Sequence, residues 1–368
     1  MKMKKYPSYL PDRQLVSPNI KPGQSLASQT VVVGNLVFLS GATGIDTQTA
    51  RPCSDDLEKQ VVQAMENIRA ALEEVGSSIE NLVKYYVFIR DTSACARFWK
   101  AISEYFREKA PGLIEEPPAV SLSGVTALER PGCVVEIDAV AVLSPDMPGW
   151  EMKKYPMFYG KTRQTYPNIP AGKPFFSESV SVGNLLFLSG MMGEDPKTGE
   201  IESHNFEEQM DTAFEKVRNA LDNAGTSPSN IINSLHFLTG VEDLLAKSLD
   251  VRQSFSPASD RLWKRELEHY DKYAPVLFDV PPASTFLKVP ALGVPGALVQ
   301  LDFTAVISRY RPGWEVRNYL LYLGKRGFPR HIGEIKKYYS NSVVVGNLAF
   351  ISGQTPTDPF TARIETDS

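Results

Sequence analysis

The sequence is poor in several things, and each shortage removes a class of protein. Its three cysteines, Cys53, Cys95 and Cys133, are too few and too scattered for a disulfide framework or a zinc site. The four histidines, His204, His236, His269 and His331, show no metal-ligand spacing, so no metal is expected. Apolar runs such as Val31 to Val33 and Leu185 to Leu188 are strand-sized, far below the roughly 18 residues that cross a membrane. The basic start, Met1-Lys2-Met3-Lys4-Lys5-Tyr6-Pro7, runs into no apolar stretch, so it is not read as a secretory signal. A reducing cytoplasm is the expected location. An excess of positive charge is also missing. The net charge is −4 and the pI near 5.8, which leaves no electrostatic footprint for nucleic acid or an anionic membrane.

What the sequence does have is length for two or three domains, 368 residues with ordinary globular composition, and internal repetition. Residues 31–41 read VVVGNLVFLSG, residues 180–190 read VSVGNLLFLSG, and residues 343–353 read VVVGNLAFISG. Their glycines, Gly34, Gly183 and Gly346, lie 149 and 163 residues apart (183 − 34 and 346 − 183). Pro148-Gly149-Trp150-Glu151 returns as Pro312-Gly313-Trp314-Glu315, and Met3-Lys4-Lys5-Tyr6-Pro7 as Met152-Lys153-Lys154-Tyr155-Pro156. Three separated markers in the same order define a tandem array. The modules are set at 1–150, 151–316 and 317–368, the last being the start of a third copy.

Within a copy, Gly34-Asn35 between apolar runs signals a hairpin. Val61, Met65, Ile68 and Leu72 mark one face of a helix over Asp56 to Val75, closed by Gly76. Leu82 to Ile89 reads as a strand, Cys95 to Ala110 as a second helix, and Ala119 to Val125 and Val134 to Leu143 as closing strands. The second copy follows with a helix at Phe206 to Ala224, a strand at Ile231 to Leu238 and closing strands at Ser284 to Val289 and Leu298 to Ile307. Its second helical region, Val241 to Tyr273, is longer than its counterpart. The order ββ-α-β-α-ββ predicts an α+β fold, a mixed sheet with both helices on one face. The bare face needs cover. Three copies turning their bare faces into a barrel-like core would supply it within one chain.

The VGN…SG strings, the Pro-Pro-Ala strand and Val135-Glu136-Ile137-Asp138-Ala139 together resemble the RidA/YjgF family of small trimeric enamine/imine deaminases, over 25–143 and 175–307. The resemblance implies chorismate-mutase-like modules in an intramolecular pseudo-trimer and a cleft at each module boundary. It also implies an arginine that grips a substrate carboxylate and a glutamate that handles the hydrolytic water, with no metal or organic cofactor. The expected partner is a small-molecule substrate. Departures are as informative as matches. Val120 and Ser284 stand at the family's arginine position. Glu136 survives in the first copy, whereas Gln300 replaces it in the second. The family tyrosine is Ala27, then Phe176, and only in the third copy Tyr339.

The expected catalytic pair is therefore Glu136 with Tyr339 in one cleft. Ser40-Gly41, Ser189-Gly190 and Ser352-Gly353 are expected as substrate-binding corners, since glycine at a strand end permits close approach. Lys288 is a candidate carboxylate anchor, against the plainer reading of an edge lysine. Asp138, repeated as Asp302, reads as structural, and Trp150 and Trp314 as staples of their junctions. Imine hydrolysis competes with a ligand-binding or scaffold role in which catalysis is impaired. Ribonuclease activity is the weakest reading for an acidic chain. Unpaired edges of the incomplete third copy suggest self-association.

Overall fold

The computed structural model describes residues 3–7, 27–157, 173–174, 176–240, 257–320 and 339–354. His331 and the first part of the Val241 to Tyr273 region lie outside them. The chain divides into two compact units. One is Met1–Gly183 with Phe187–Ser189 and Pro196–Gly199. The other is Asn184–Leu186 and Gly190–Asp195 with Glu200–Ser368. Each contains the end of one copy and the opening strands of the next.

The first unit begins with β1 (Met3–Pro7), the hairpin β2 (Ser28–Val33) and β3 (Leu36–Thr43), helix α1 (Leu57–Glu74) and β4 (Leu82–Ile89). Helix α2 (Cys95–Lys109), β5 (Ala119–Gly124) and β6 (Val135–Val142) complete the first copy. Strands β7 (Met152–Met157) and β8 (Phe176–Val182) open the second. The strand order is β1-β2-β3-β6-β4-β5-β8, with β7 beside β8. Pairing is antiparallel except for β4 with β5 and β5 with β8, which are parallel. The expected mixed sheet is present. The MKKYP repeat, which carried no strand assignment in the sequence, proves to be an extra antiparallel strand ahead of each hairpin.

Local chemistry explains these elements. Asp56 caps α1 by accepting the Lys59 N–H at 3.1 Å. Val61, Met65, Ile68 and Leu72 are all buried against the sheet, each contributing about 1.5–3 kcal/mol. Gly76 ends the helix at φ +81°, where a side chain would be strained. Gly34 makes the hairpin turn at φ +62°. Asn35 beside it does more than turn the chain. Its buried amide donates to Ser144 O at 2.7 Å and accepts the Ser144 N–H at 3.0 Å, tying the hairpin to the end of β6. Asn184 repeats this with Ser308.

In the second unit, strand β9 (Leu185–Leu188), part of which belongs to the first unit, is followed by α3 (Phe206–Asn223), β10 (Ile231–Leu238) and α4 (Pro257–Tyr273). Then come β11 (Ala283–Lys288), β12 (Val299–Val306), β13 (Val316–Leu320), β14 (Ser340–Val345) and β15 (Leu348–Ile351). The order β12-β10-β11-β14-β13 repeats that of the first unit, with β15 beside β14.

A buried glutamine helps fix each copy. Gln60 donates to Ser54 O and Gly132 O and accepts from Val134 N–H. Gln209 makes the matching bonds to Ser203 O, Gly296 O and Leu298 N–H. Each satisfies the backbone of a loop that would otherwise carry unpaired polar groups inside.

Candidate active site

Strand β3 is not regular where the site forms. Leu39 pairs with Ala139 and Ala42 with Ile137, so three residues on β3 span two on β6, a bulge at Ser40-Gly41. On β6 the alternation of the strand places Val135, Ile137 and Ala139 in the core and Glu136 and Asp138 on the opposite face. The bulge lets the two carboxylates lie against Gly41. A Cβ there would stand 2.1 Å from Glu136 Oε1 and 2.8 Å from Asp138 Oδ1. The glycine is needed for space, since its φ is not among the positive ones.

Burial pushes the Glu136 carboxyl up, and the charge of Glu129 adds to this. Asp138 is raised further, to about 6, by burial first and by Glu136 second. Two acids of raised affinity for protons, side by side on one strand face, suit proton exchange near neutral pH. From the sequence alone Asp138 reads as structural. Its repetition as Asp302 hid the difference, because only the first copy puts a second acid beside it.

In the second copy Gly190 holds the same relation to Gln300, a Cβ standing 2.6 Å from its Cδ. Gln300 is 1% exposed, and neither end of its amide has a hydrogen-bond partner among the described residues. An amide there cannot act as a base.

The serines of two of the three corners have a common task. In the first unit Ser189 Oγ donates to Ser177 O at 2.6 Å and accepts the Val120 N–H at 2.8 Å. In the second, Ser352 Oγ donates to Ser340 O at 2.5 Å and accepts the Ser284 N–H at 2.7 Å. Each fastens the Pro-Pro-Ala strand of one copy to the opening strands of the next. Ser40 Oγ donates to Ser28 O at 2.7 Å, and that corner is exposed. Gly353 lies against Thr285, and its N–H donates to Ser284 O at 3.1 Å.

Tyr339 packs with Trp263, Leu267 and Phe286, its ring stacked on Trp263 with centroids 6.4 Å apart. Burial raises its hydroxyl pKa. Tyr339, Ser352 and Gly353 thus form one corner against the second copy's strand, while Glu136 sits with Gly41 of its own copy. Glu136 belongs to the first unit and Tyr339 to the second. Lys288 is exposed at the end of β11.

One cluster carried no signal as a site in the sequence. His236, wholly buried, meets Glu266 Oε1 through Nε2 at 3.2 Å, and Tyr270 donates to the same oxygen at 2.6 Å. The His236 ring stacks on Phe286 with centroids 4.4 Å apart. Among the described residues no three His, Cys, Asp or Glu side chains gather as a metal cluster, and no helix is long and apolar enough to cross a membrane.

The sequence has relatives among known proteins. A RutC family protein of Pyrococcus abyssi is 33% identical over 114 residues, 31% of this chain and 84% of that protein. The 2-iminobutanoate/2-iminopropanoate deaminase of Dermatophagoides farinae is 30% identical over 116 residues, 32% of this chain and 84% of the enzyme. The crystal structure of Escherichia coli TdcF with bound serine is 26% identical, covering 38% of this chain and 94% of that one at a TM-score of 0.30. The family described as Endoribonuclease L-PSP matches twice, over residues 22–143 and 168–307. Spanning most of the sequence in two successive copies, that match makes this chain a tandem member of the Endoribonuclease L-PSP family, to which the RutC and RidA/YjgF proteins belong.

Proposed function

We propose that the chain is a hydrolytic deaminase of a small imine or enamine, with one working carboxylate centre, Glu136 beside Asp138, in the first copy. The observation that carries this is the acid pair packed on Gly41, with both carboxyls shifted toward neutral pH. The kinship with a 2-iminobutanoate/2-iminopropanoate deaminase supplies the substrate class. In the proposed step Glu136 takes a proton from water as the oxygen bonds to the imine carbon. That proton passes to the nitrogen, giving a carbinolamine; Glu136 then carries the proton of the new hydroxyl to the amine as the C–N bond breaks, and ammonia and a carbonyl compound leave. Asp138, the more strongly raised acid, holds a proton beside Glu136 in the lower part of the working range.

Two changes favour a binding or scaffold role for the second copy: Gln300 replaces the acid, and Ser284 stands at the position of the family's arginine. The proposed modules are 1–150, 151–316 and, as the start of a third, 317–368, in an intramolecular pseudo-trimer-like barrel. RNA cleavage is disfavoured by the net charge of −4. The test is ammonia release from 2-iminopropanoate generated in situ by an amino-acid oxidase. Glu136→Gln should lower turnover about 100-fold or more, the usual range for a general base. Unchanged turnover in that variant, with the fold intact, would end the proposal.

A further inference from the structure

Beside the acid pair of the first copy stands a feature that the proposed chemistry leaves unused. Strand β4 runs next to β6, with Phe88 directly opposite Glu136 and Tyr86 directly opposite Asp138. Residues that face each other across such a pair share one side of the sheet. Both rings therefore rise on the face that carries the two carboxyls. Tyr85, Val87 and Ile89, which alternate with them, are the ones packed in the core on the other face. Tyr86 and Phe88 are partly exposed. The carboxyls lean the other way, over Gly41 of β3, where Glu136 Oε1 and Asp138 Oδ1 take the room a side chain would need. The order β3-β6-β4 puts the acids on one side of a trough and the rings on the other, with β6 as its floor.

Tyr86 is also held in place. The ammonium of Lys84, a wholly buried residue, sits 4.4 Å from the centroid of the Tyr86 ring and donates to Leu188 O at 2.5 Å. The cation–π contact braces the ring. The second copy loses these features together. At the matching register Gln300 replaces Glu136, Leu235 replaces Tyr86 and Asn233 replaces Lys84. Phe237, in the place of Phe88, is buried among Val289, Leu292 and Ala297. Where the acid is lost, the tyrosine and its lysine are lost and the phenylalanine is covered. That joint change ties Tyr86 to the acid site rather than to the packing of the sheet.

We infer that Tyr86 and Phe88 form a platform for the substrate's side chain, and that this side chain is an aryl group carried one methylene from the imine carbon. The inference rests on the proposed deaminase reading and narrows its substrate class. Neighbouring strands lie about 4.8 Å apart. An imine carbon within reach of Glu136 then has the β4 rings one strand away, which is the reach of a ring attached through a single methylene. Such a ring gains offset or edge-to-face contacts with Tyr86 and Phe88 that an alkyl chain of the same size does not. The enamine tautomer of the same compound is conjugated with its ring and therefore flat, which suits a trough between a row of acids and a row of rings.

The test compares the imines that an amino-acid oxidase generates in situ from phenylalanine and from alanine, using the full chain. The value of kcat/KM should be about tenfold higher for the phenylalanine-derived imine, the upper end of what a well-placed aromatic contact adds. Tyr86→Leu, which installs the residue found in the second copy, should lower that ratio severalfold, chiefly through the KM of the aryl substrate. Tyr86→Phe should keep it. Calorimetric titration with the carbonyl products separates this inference from the deaminase reading. Phenylpyruvate should bind more tightly than pyruvate, by a margin that shrinks in Tyr86→Leu. That margin in a chain that turns over neither imine would sink the deaminase reading and leave the aromatic platform standing. Equal kcat/KM for the two imines, no margin in binding, or a preference that Tyr86→Leu leaves intact would each overturn the inference.

Discussion

Asp138 is held in a site that favours its proton, and this has a consequence for stability. Its carboxyl titrates at about 6 in the folded chain, against about 3.9 when unfolded. The folded state therefore holds a proton through a window in which the unfolded chain has released it. Stability from this group is complete below pH 4 and is lost as the pH rises through 6. The loss is about 2–3 kcal/mol for the difference of roughly two units. Asp138→Asn should then raise the melting temperature at pH 7.5 and leave it nearly unchanged at pH 3.5. An equal rise at both pH values would mean that charge is not the cause. Gly41 offers a second test at this scale. A methyl there would meet only the far ends of Glu136 and Asp138, which can swing aside. Gly41→Ala should fold, with modest loss of stability, yet lose most deaminase turnover because the acid pair is displaced. Gly44→Ala is the contrast, since its methyl would stand 2.6 Å from the Gln60 Cα and force the backbone of α1 to move.

At the scale of elements, helix α4 and strand β10 differ from α2 and β4 in a concerted way. Aligned on the two Pro-Pro pairs, Ile102 and Phe106 of α2 become Glu266 and Tyr270 of α4, while strand register, Val87 opposite Leu122 and His236 opposite Phe286, makes Val87 of β4 the counterpart of His236 of β10. Three apolar core positions have turned into one hydrogen-bonded polar cluster with His236 Nδ1 and Glu266 Oε2 left without partners. Buried polar clusters often stabilise less than the apolar side chains that could fill the same space. The triple change His236→Val, Glu266→Ile, Tyr270→Phe should therefore leave stability equal or raise it, by about 1–4 kcal/mol. Glu266→Ala alone should lower it by stranding His236 and Tyr270, and denaturant unfolding separates the two outcomes. Periodicity could not reveal this cluster. Helix α1 was legible because Val61, Met65, Ile68 and Leu72 recur at helical spacing and Asp56 and Gly76 mark its ends. The strands, the hairpin at Gly34 and the repeat were legible for similar local reasons. The Ser-Gly corners, Gln60 and the Lys84 contact were not, because their meaning lies in partners dozens of residues away.

The two copies of one fold differ at the corresponding site, and under the proposed function the difference should show in substrate preference. The first copy keeps the acid pair and the second has a buried, unpartnered Gln300 in its place. Neither has a cation at the position directly after Pro-Pro-Ala, where Val120 and Ser284 stand. A charged hydrogen bond to a carboxylate is worth about 1.5–3 kcal/mol, which corresponds to roughly 10- to 150-fold in affinity. Without it, the carboxylate of an imino acid gains little on binding. The KM for 2-iminopropanoate should then lie within about threefold of that for its carboxamide analogue, both generated in situ. Lys288, the cation on strand β11, provides the control, because it sits exposed at the strand's end. Lys288→Met should leave the ratio of the two KM values unchanged. A strong preference for the carboxylate that disappears in Lys288→Met would make that lysine the anchor. A strong preference that persists in Lys288→Met would place the missing cation elsewhere in the fold and overturn this account of specificity.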